Sequence, residues 1–90
     1  MLTIHYSKRF KRSFKKLPLN AQQDFSKKIE IFALHPFQKS LHTHKLKGKL
    51  SEYYAFYLVD GYRVLFDFIG SEIILLVNIG SHDDYKKWGR

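Results

Sequence analysis

The sequence predicts an α+β domain of two layers, a helical hairpin packed on an antiparallel sheet, with elements in the order β-α-α-β-β-β. Three observations carry this. Residues 2–6 alternate apolar with polar, residues 8–34 hold two helical apolar stripes separated by Pro18, and residues 53–79 are crowded with aromatic and β-branched side chains between glycine turns. No internal repeat, low-complexity tract or linker interrupts the chain, so residues 1–90 are expected to form one domain with a single core.

Taken in order, Leu2, Ile4 and Tyr6 alternate with Thr3 and His5, which reads as a first strand. Ser7 can cap the helix that follows, whose inner face carries Phe10, Phe14 and Leu17 and which Pro18 stops. Asn20 is the expected cap of a second helix with Phe25, Ile29 and Phe32 inward, closed near Leu34 by Pro36. So short a connection favours an antiparallel hairpin. The polar, His-rich stretch 36–51 reads as a loop entering a strand near Lys47 to Leu50. Three strands should follow: Tyr53 to Val59, Tyr62 to Phe68 and Glu72 to Ile79. The first pair is joined by Asp60-Gly61, a two-residue signal of the type I′ kind, and the second by Gly70-Ser71. The tail 80–90 should hold a short helical turn near Asp83 to Trp88.

Composition narrows the partners. Hydrophobic residues make up 44% and aromatics 17%, enough for a packed core. There is no cysteine, hence no disulfide and no thiolate metal site, which suits the cytoplasm. The longest apolar run, Ile73 to Val77, is far too short to cross a membrane, and nothing resembles a signal peptide. Sixteen Lys and Arg against eight Asp and Glu leave a net charge of +8, which in so small a chain points to a polyanionic partner.

The cations cluster. Lys8, Arg9, Lys11, Arg12, Lys15 and Lys16 surround the first helix, with Lys11 and Lys15 placed to meet phosphates, although an acidic protein could cover the same face. A second group is His42, His44, Lys45, Lys47 and Lys49; in an extended segment the three lysines share one face and the two histidines the other. In the middle strand Tyr62, Val64, Phe66 and Phe68 should face the helices, which leaves Arg63, Leu65 and Asp67 on an uncovered face within reach of a ligand. His82 follows the last strand, with Tyr85 three residues on. A zinc site from His42 and His44 would need His82 or a carboxylate to complete the ligand set and is the weaker reading.

These residue types suit one reaction. RNA cleavage needs a base for the ribose 2′-hydroxyl, a cation for the charge that gathers at phosphorus, and an acid for the leaving 5′-oxygen; no metal or other cofactor is required. His44, Arg63 and His82 can fill the three roles, since imidazole exchanges protons near neutral pH. Tyr85 can stack on a base or assist proton transfer, while Lys45, Lys47 and Lys49 hold flanking phosphates.

The order of elements, the basic helical hairpin and the segments HKLKG, YRVLFDF and NIGSHDDY resemble the RelE/ParE toxin superfamily over nearly the whole chain, and within it the YafQ and YoeB type of mRNA interferase. The resemblance implies the toxin of a type II toxin–antitoxin pair that enters the ribosome and cuts translated messenger. It also implies a small cognate antitoxin that wraps the toxin, and contact with operon DNA only through that complex. His44 matches the His or Glu assigned to acid–base work, Arg63 the strand Arg that meets the scissile phosphate, and His82 the near-terminal His. The position where YafQ-like chains carry a second His is Tyr57 here. The other readings are a ParE-type gyrase inhibitor, which tends to lack acid–base residues at positions 44 and 82, an inactive toxin, and a plain RNA-binding protein.

Overall fold

A computed structural model describes residues 1–89; the tail's last residue, Arg90, lies outside the described residues. Strand β1 (Thr3–Tyr6) leads into helix α1 (Lys8–Lys15), then α2 (Leu19–Leu34). A two-residue strand β2 (His44–Lys45) precedes β3 (Tyr54–Tyr57), β4 (Arg63–Gly70) and β5 (Ile73–Gly80), and α3 (His82–Trp88) closes the described chain. The five strands form one sheet in the order β1-β5-β4-β3-β2. The α+β class and the order of the main elements are as expected. The antiparallel rule holds for every neighbour except one: β1 runs parallel to β5, with Thr3 opposite Ile73 and Tyr6 opposite Leu76.

Local chemistry explains most boundaries. The Ser7 hydroxyl oxygen accepts the Phe10 N–H at 2.9 Å and donates to the Val77 carbonyl at 2.7 Å, so one residue caps α1 and ties it to β5. Asn20 is not the cap of α2. That place belongs to Pro18, whose fixed φ of −61° and missing N–H suit a helix start, and whose carbonyl accepts from Ala21 and Gln22. Asn20 instead sits in the first turn and donates to the Asp60 carboxylate at 3.0 Å.

The stretch near Lys47 to Leu50 is not a strand. Gly48 has φ of +69°, which ends extended backbone, and Gly48–Leu50 forms a turn of 3-10 helix. The β-ladder lies a few residues earlier, where His44 pairs with Ala55 and Lys45 with Tyr54. The second hairpin turns at Ser71-Glu72, one residue later than expected, because Gly70 still pairs with Ile73. In the tail, the Ser81 hydroxyl accepts the Asp84 N–H at 3.2 Å while the Asp84 carboxylate accepts the Ser81 N–H at 3.0 Å, a reciprocal cap that starts α3.

The main core lies between the sheet and the helices α1 and α2. Phe32 from α2 stacks on Phe56 with centroids 4.6 Å apart and meets Phe66 edge-on at 4.8 Å. Val64, Phe66, Ile74 and Leu76 are fully buried beside them, with Tyr62 and Phe68 at the margin. The helix-facing set of β4 is therefore the one the alternation predicts. The opposite face is not uncovered, however. Leu46, Ala55 and Leu65 form a small second core there, roofed by Leu50, Tyr53, Tyr85 and Trp88 from the 46–53 segment and α3. No described helix is long and apolar enough to cross a membrane.

Candidate active site

The site grows from the register of β3 and β4. Asp60 and Gly61 both have positive φ, +57° and +77°, as a type I′ turn requires. The ladder is nevertheless offset by one residue from a strict two-residue hairpin: the Leu58 N–H donates to the Tyr62 carbonyl, and Tyr57 faces Arg63. A ladder starting at once would set Leu58 against Arg63 and send Tyr57 to the core beside Val64. The single-residue shift reverses that and brings Tyr57 onto the face of Arg63. His44 pairs with Ala55, two residues before Tyr57, so its side chain belongs to the same face.

Arg63 is the centre of the arrangement and is only 7% exposed. The expectation that it stands open on a bare face fails, because α3 folds back over the sheet beside it. Its guanidinium carbon lies 4.8 Å from the Tyr57 ring centroid and 4.9 Å from that of Tyr85, so the cation is held between two aromatic faces. Nε and Nη2 donate to the Gly61 carbonyl at 3.3 and 3.1 Å. Among the described residues the ion pairs are Lys28 with Asp24 and Lys86 with Asp83, so Arg63 has no carboxylate partner. No described side-chain nitrogen or oxygen is both sealed from solvent and unpartnered, and Nη1 has no protein acceptor. Nη1 therefore reaches the surface. A cation taken out of water without a counter-ion, its donors pinned on one side and open on the other, is a seat for an anion.

Imidazoles stand at both ends. The His44 ring is 5.4 Å from the Tyr57 ring, and His82 is 6.4 Å from Tyr85. His44, Tyr57, Arg63, Tyr85 and His82 thus form one continuous row. His44 Nδ1 lies 3.0 Å from the His42 carbonyl oxygen, which can only accept. Nδ1 must then carry the proton, and the neutral ring offers its lone pair at Nε2. His82, the first residue of α3, is exposed and makes no side-chain hydrogen bond within the described residues.

A cleft of about 280 Å³ runs beside this row, lined by His44, Lys45, Leu46, Lys47 and Tyr85. The expected split of histidines and lysines holds within β2, where His44 pairs with Ala55 on the Arg63 side and Lys45 with Tyr54 on the helical side. It does not extend along the whole run, because the extended backbone stops at Gly48 and His42 adopts a left-handed turn. His44, Lys45 and Lys47 line one cleft together. Lys49 is turned away, its Cβ lying against Gly89 behind α3. Lys11 and Lys15 are exposed on α1, which packs on the helical side of the sheet, so they are not part of this cleft. No group of three or more His, Asp or Glu among the described residues could hold a metal ion. Tyr57, noted in the sequence only as the position of a second His in YafQ-like chains, gains its place against Arg63 from the observed register.

No protein-family model matches the chain, and no curated protein sequence matches it. Solved structures do. YafQ from E. coli superposes with a TM-score of 0.71 at 14% identity, covering 94% of this chain and 98% of that one. A YoeB/ParE toxin from Agrobacterium tumefaciens gives 0.74 at 13%, with 90% and 99% covered. The intact E. coli RelBE toxin–antitoxin complex gives 0.69 at 19%, with 90% and 96% covered. The chain has the fold of the RelE, YafQ and YoeB toxins.

Proposed function

We propose that this chain is the toxin of a toxin–antitoxin pair and an endoribonuclease that cuts messenger RNA on the ribosome. The observation that supports it most is Arg63: a nearly buried guanidinium without a counter-ion among the described residues, clamped between Tyr57 and Tyr85, each of which has an imidazole beside it. A phosphodiester completes such a site in charge and in geometry.

In this reading the scissile phosphate sits on the open edge of Arg63. His44 Nε2 takes the proton of the ribose 2′-hydroxyl, whose oxygen attacks phosphorus. The P–O5′ bond breaks, and the departing oxygen takes a proton from His82 in its imidazolium form. Arg63 stabilises the extra negative charge on the phosphoryl oxygens in the transition state, where it is worth more than in the ground state. Tyr85 stacks on the neighbouring base while it holds the guanidinium flat. Lys45 and Lys47, exposed along the cleft, attract the flanking phosphates. The superposition on the RelBE complex supports an antitoxin as the natural partner, and the excess of positive charge suits an acidic one.

The test is induction of the chain in a bacterium beside its His82→Ala form, with primer extension on an abundant messenger. Loss of a general acid costs about 10²- to 10⁴-fold in rate. New 5′ ends inside translated codons, absent in the variant, are expected. Growth arrest with intact messenger would overturn the nuclease reading.

A further inference from the structure

A second cleft, of about 360 Å³, lies on the other side of α3 from the Arg63 site. We propose that it is a nucleotide subsite, which takes the base and phosphate of an RNA residue adjacent to the one held at Arg63; this rests on the reading of the chain as an RNA-cutting toxin.

The cleft is within the usual range for small-ligand sites, about 300–1,000 Å³. Its walls are of two kinds. Trp88 and Tyr62, both partly exposed, supply aromatic surface on which any base can stack. Lys16, at the end of α1, and Lys87, on α3, stand exposed at the rim, and neither is paired with a carboxylate among the described residues. Two free ammonium groups beside an aromatic wall match the two halves of a nucleotide.

Polar groups are left over in the same place. Ser13 Oγ donates to Asn78 Oδ1 at 2.7 Å and keeps its lone pairs. The Ser81 hydroxyl accepts the Asp84 N–H at 3.2 Å and keeps its own hydrogen to donate. Asp84 Oδ2 is committed to the Ser81 N–H at 3.0 Å, so Oδ1 remains an acceptor for the exocyclic amino group of a base. Adenine meets those demands through its 6-amino group.

The two clefts share a wall. Tyr85, which covers Arg63, meets Trp88 edge-on at 5.9 Å, and Trp88 faces the second cleft. Gly80 makes this close return of α3 possible, since a Cβ there would lie 2.8 Å from Asp84 Oδ2 and 3.1 Å from the Trp88 ring. A strand threaded past Arg63 can therefore place one base on Tyr85 and the next on Trp88.

Trp88 is the only tryptophan in the chain, so its fluorescence reports on the cleft directly. The probe is a short oligodeoxyadenylate, which lacks the 2′-hydroxyl and stays uncut, titrated into the full chain carrying His82→Ala. Quenching is expected, with affinity about ten-fold lower in a Lys16→Ala/Lys87→Ala variant and with a log–log salt slope smaller by about 0.7 for each lysine removed. Both lysines are exposed, so the variant keeps its fold. No quenching, or quenching with unchanged affinity and slope in the lysine variant, would overturn the subsite. The two readings fail separately. Messenger cutting that is unaffected by the lysine changes removes the subsite alone, whereas lysine-dependent quenching in a chain that never cuts messenger removes the nuclease and leaves a nucleotide site.

Discussion

On the helical side of the sheet, Phe32, Phe56 and Phe66 meet at centroid distances of 4.6, 4.8 and 6.0 Å within a large cluster of buried apolar side chains. On the other side, three small or medium residues, Leu46, Ala55 and Leu65, form the whole buried cluster, and an arginine lies beside them. The same β4 strand supplies both faces, Val64 and Phe66 to one, Arg63 and Leu65 to the other. The difference is a division of labour. The first face supplies stability, with enough apolar area to spare. The second gives up part of that stability by holding a cation out of water, and in the proposed function what it keeps is a rigid seat for a phosphate. A core alone would fold; the contrast between the two faces leaves a half-closed cation on a rigid sheet.

The contrast can be broken from either side. Phe66→Ala should have the largest effect, about 3–5 kcal/mol of stability, because it empties the centre of the aromatic cluster. Thermal or urea melting checks this, and a loss below about 1 kcal/mol would mean that the helical face is not the main source of stability. Arg63→Ala should act the other way round. It removes a buried charge with no carboxylate partner among the described residues, so melting should change little or improve. Cleavage should fall by about 10²-fold or more, about 2.7 kcal/mol of transition-state stabilisation, with binding of uncut RNA affected much less. Equal losses in rate and binding would make Arg63 a docking residue instead. Ser7→Ala sharpens the comparison at its hinge, since Ser7 caps α1 and bonds β5. It should cost about 1 kcal/mol in melting and leave cleavage per folded molecule unchanged.

How much of this could be read in the sequence depends on range. The helices were legible because their signals are local: Ser7 before a four- and three-spaced apolar stripe, Pro18 and Pro36 as stops. The faces of β4 followed from simple alternation, and His44, Arg63 and His82 do share one row. The misplaced features are those set by one residue of backbone. Gly48 in a left-handed conformation moves the strand from Lys47 back to His44, and so brings Lys45 and Lys47 into one cleft with it. The offset beyond Asp60-Gly61 decides whether Tyr57 faces the core or Arg63, and alternation within one strand cannot reveal the pairing between two. Burial of Arg63 was illegible for a similar reason. It depends on α3 returning over the sheet, which rests on Gly80 leaving room for Asp84 and Trp88.

The parallel pairing of β1 with β5 has a kinetic consequence. Thr3 waits for Ile73, and the Ser7 hydroxyl for the Val77 carbonyl, across 70 residues of chain. Closing so long a loop is entropically slow, and contacts of that separation set the pace of folding in small domains. Helix α2 can pack on β3 and β4 through Phe32, but α1 and β1 precede β5 in the chain and cannot take their places until β5 has left the ribosome. Arg63 gains its Tyr85 cover later still, because Tyr85 lies beyond β5. The row from His44 to His82 is therefore complete only once β5 and α3 are both in place, and any product cut short before α3 is a sheet without its clamp.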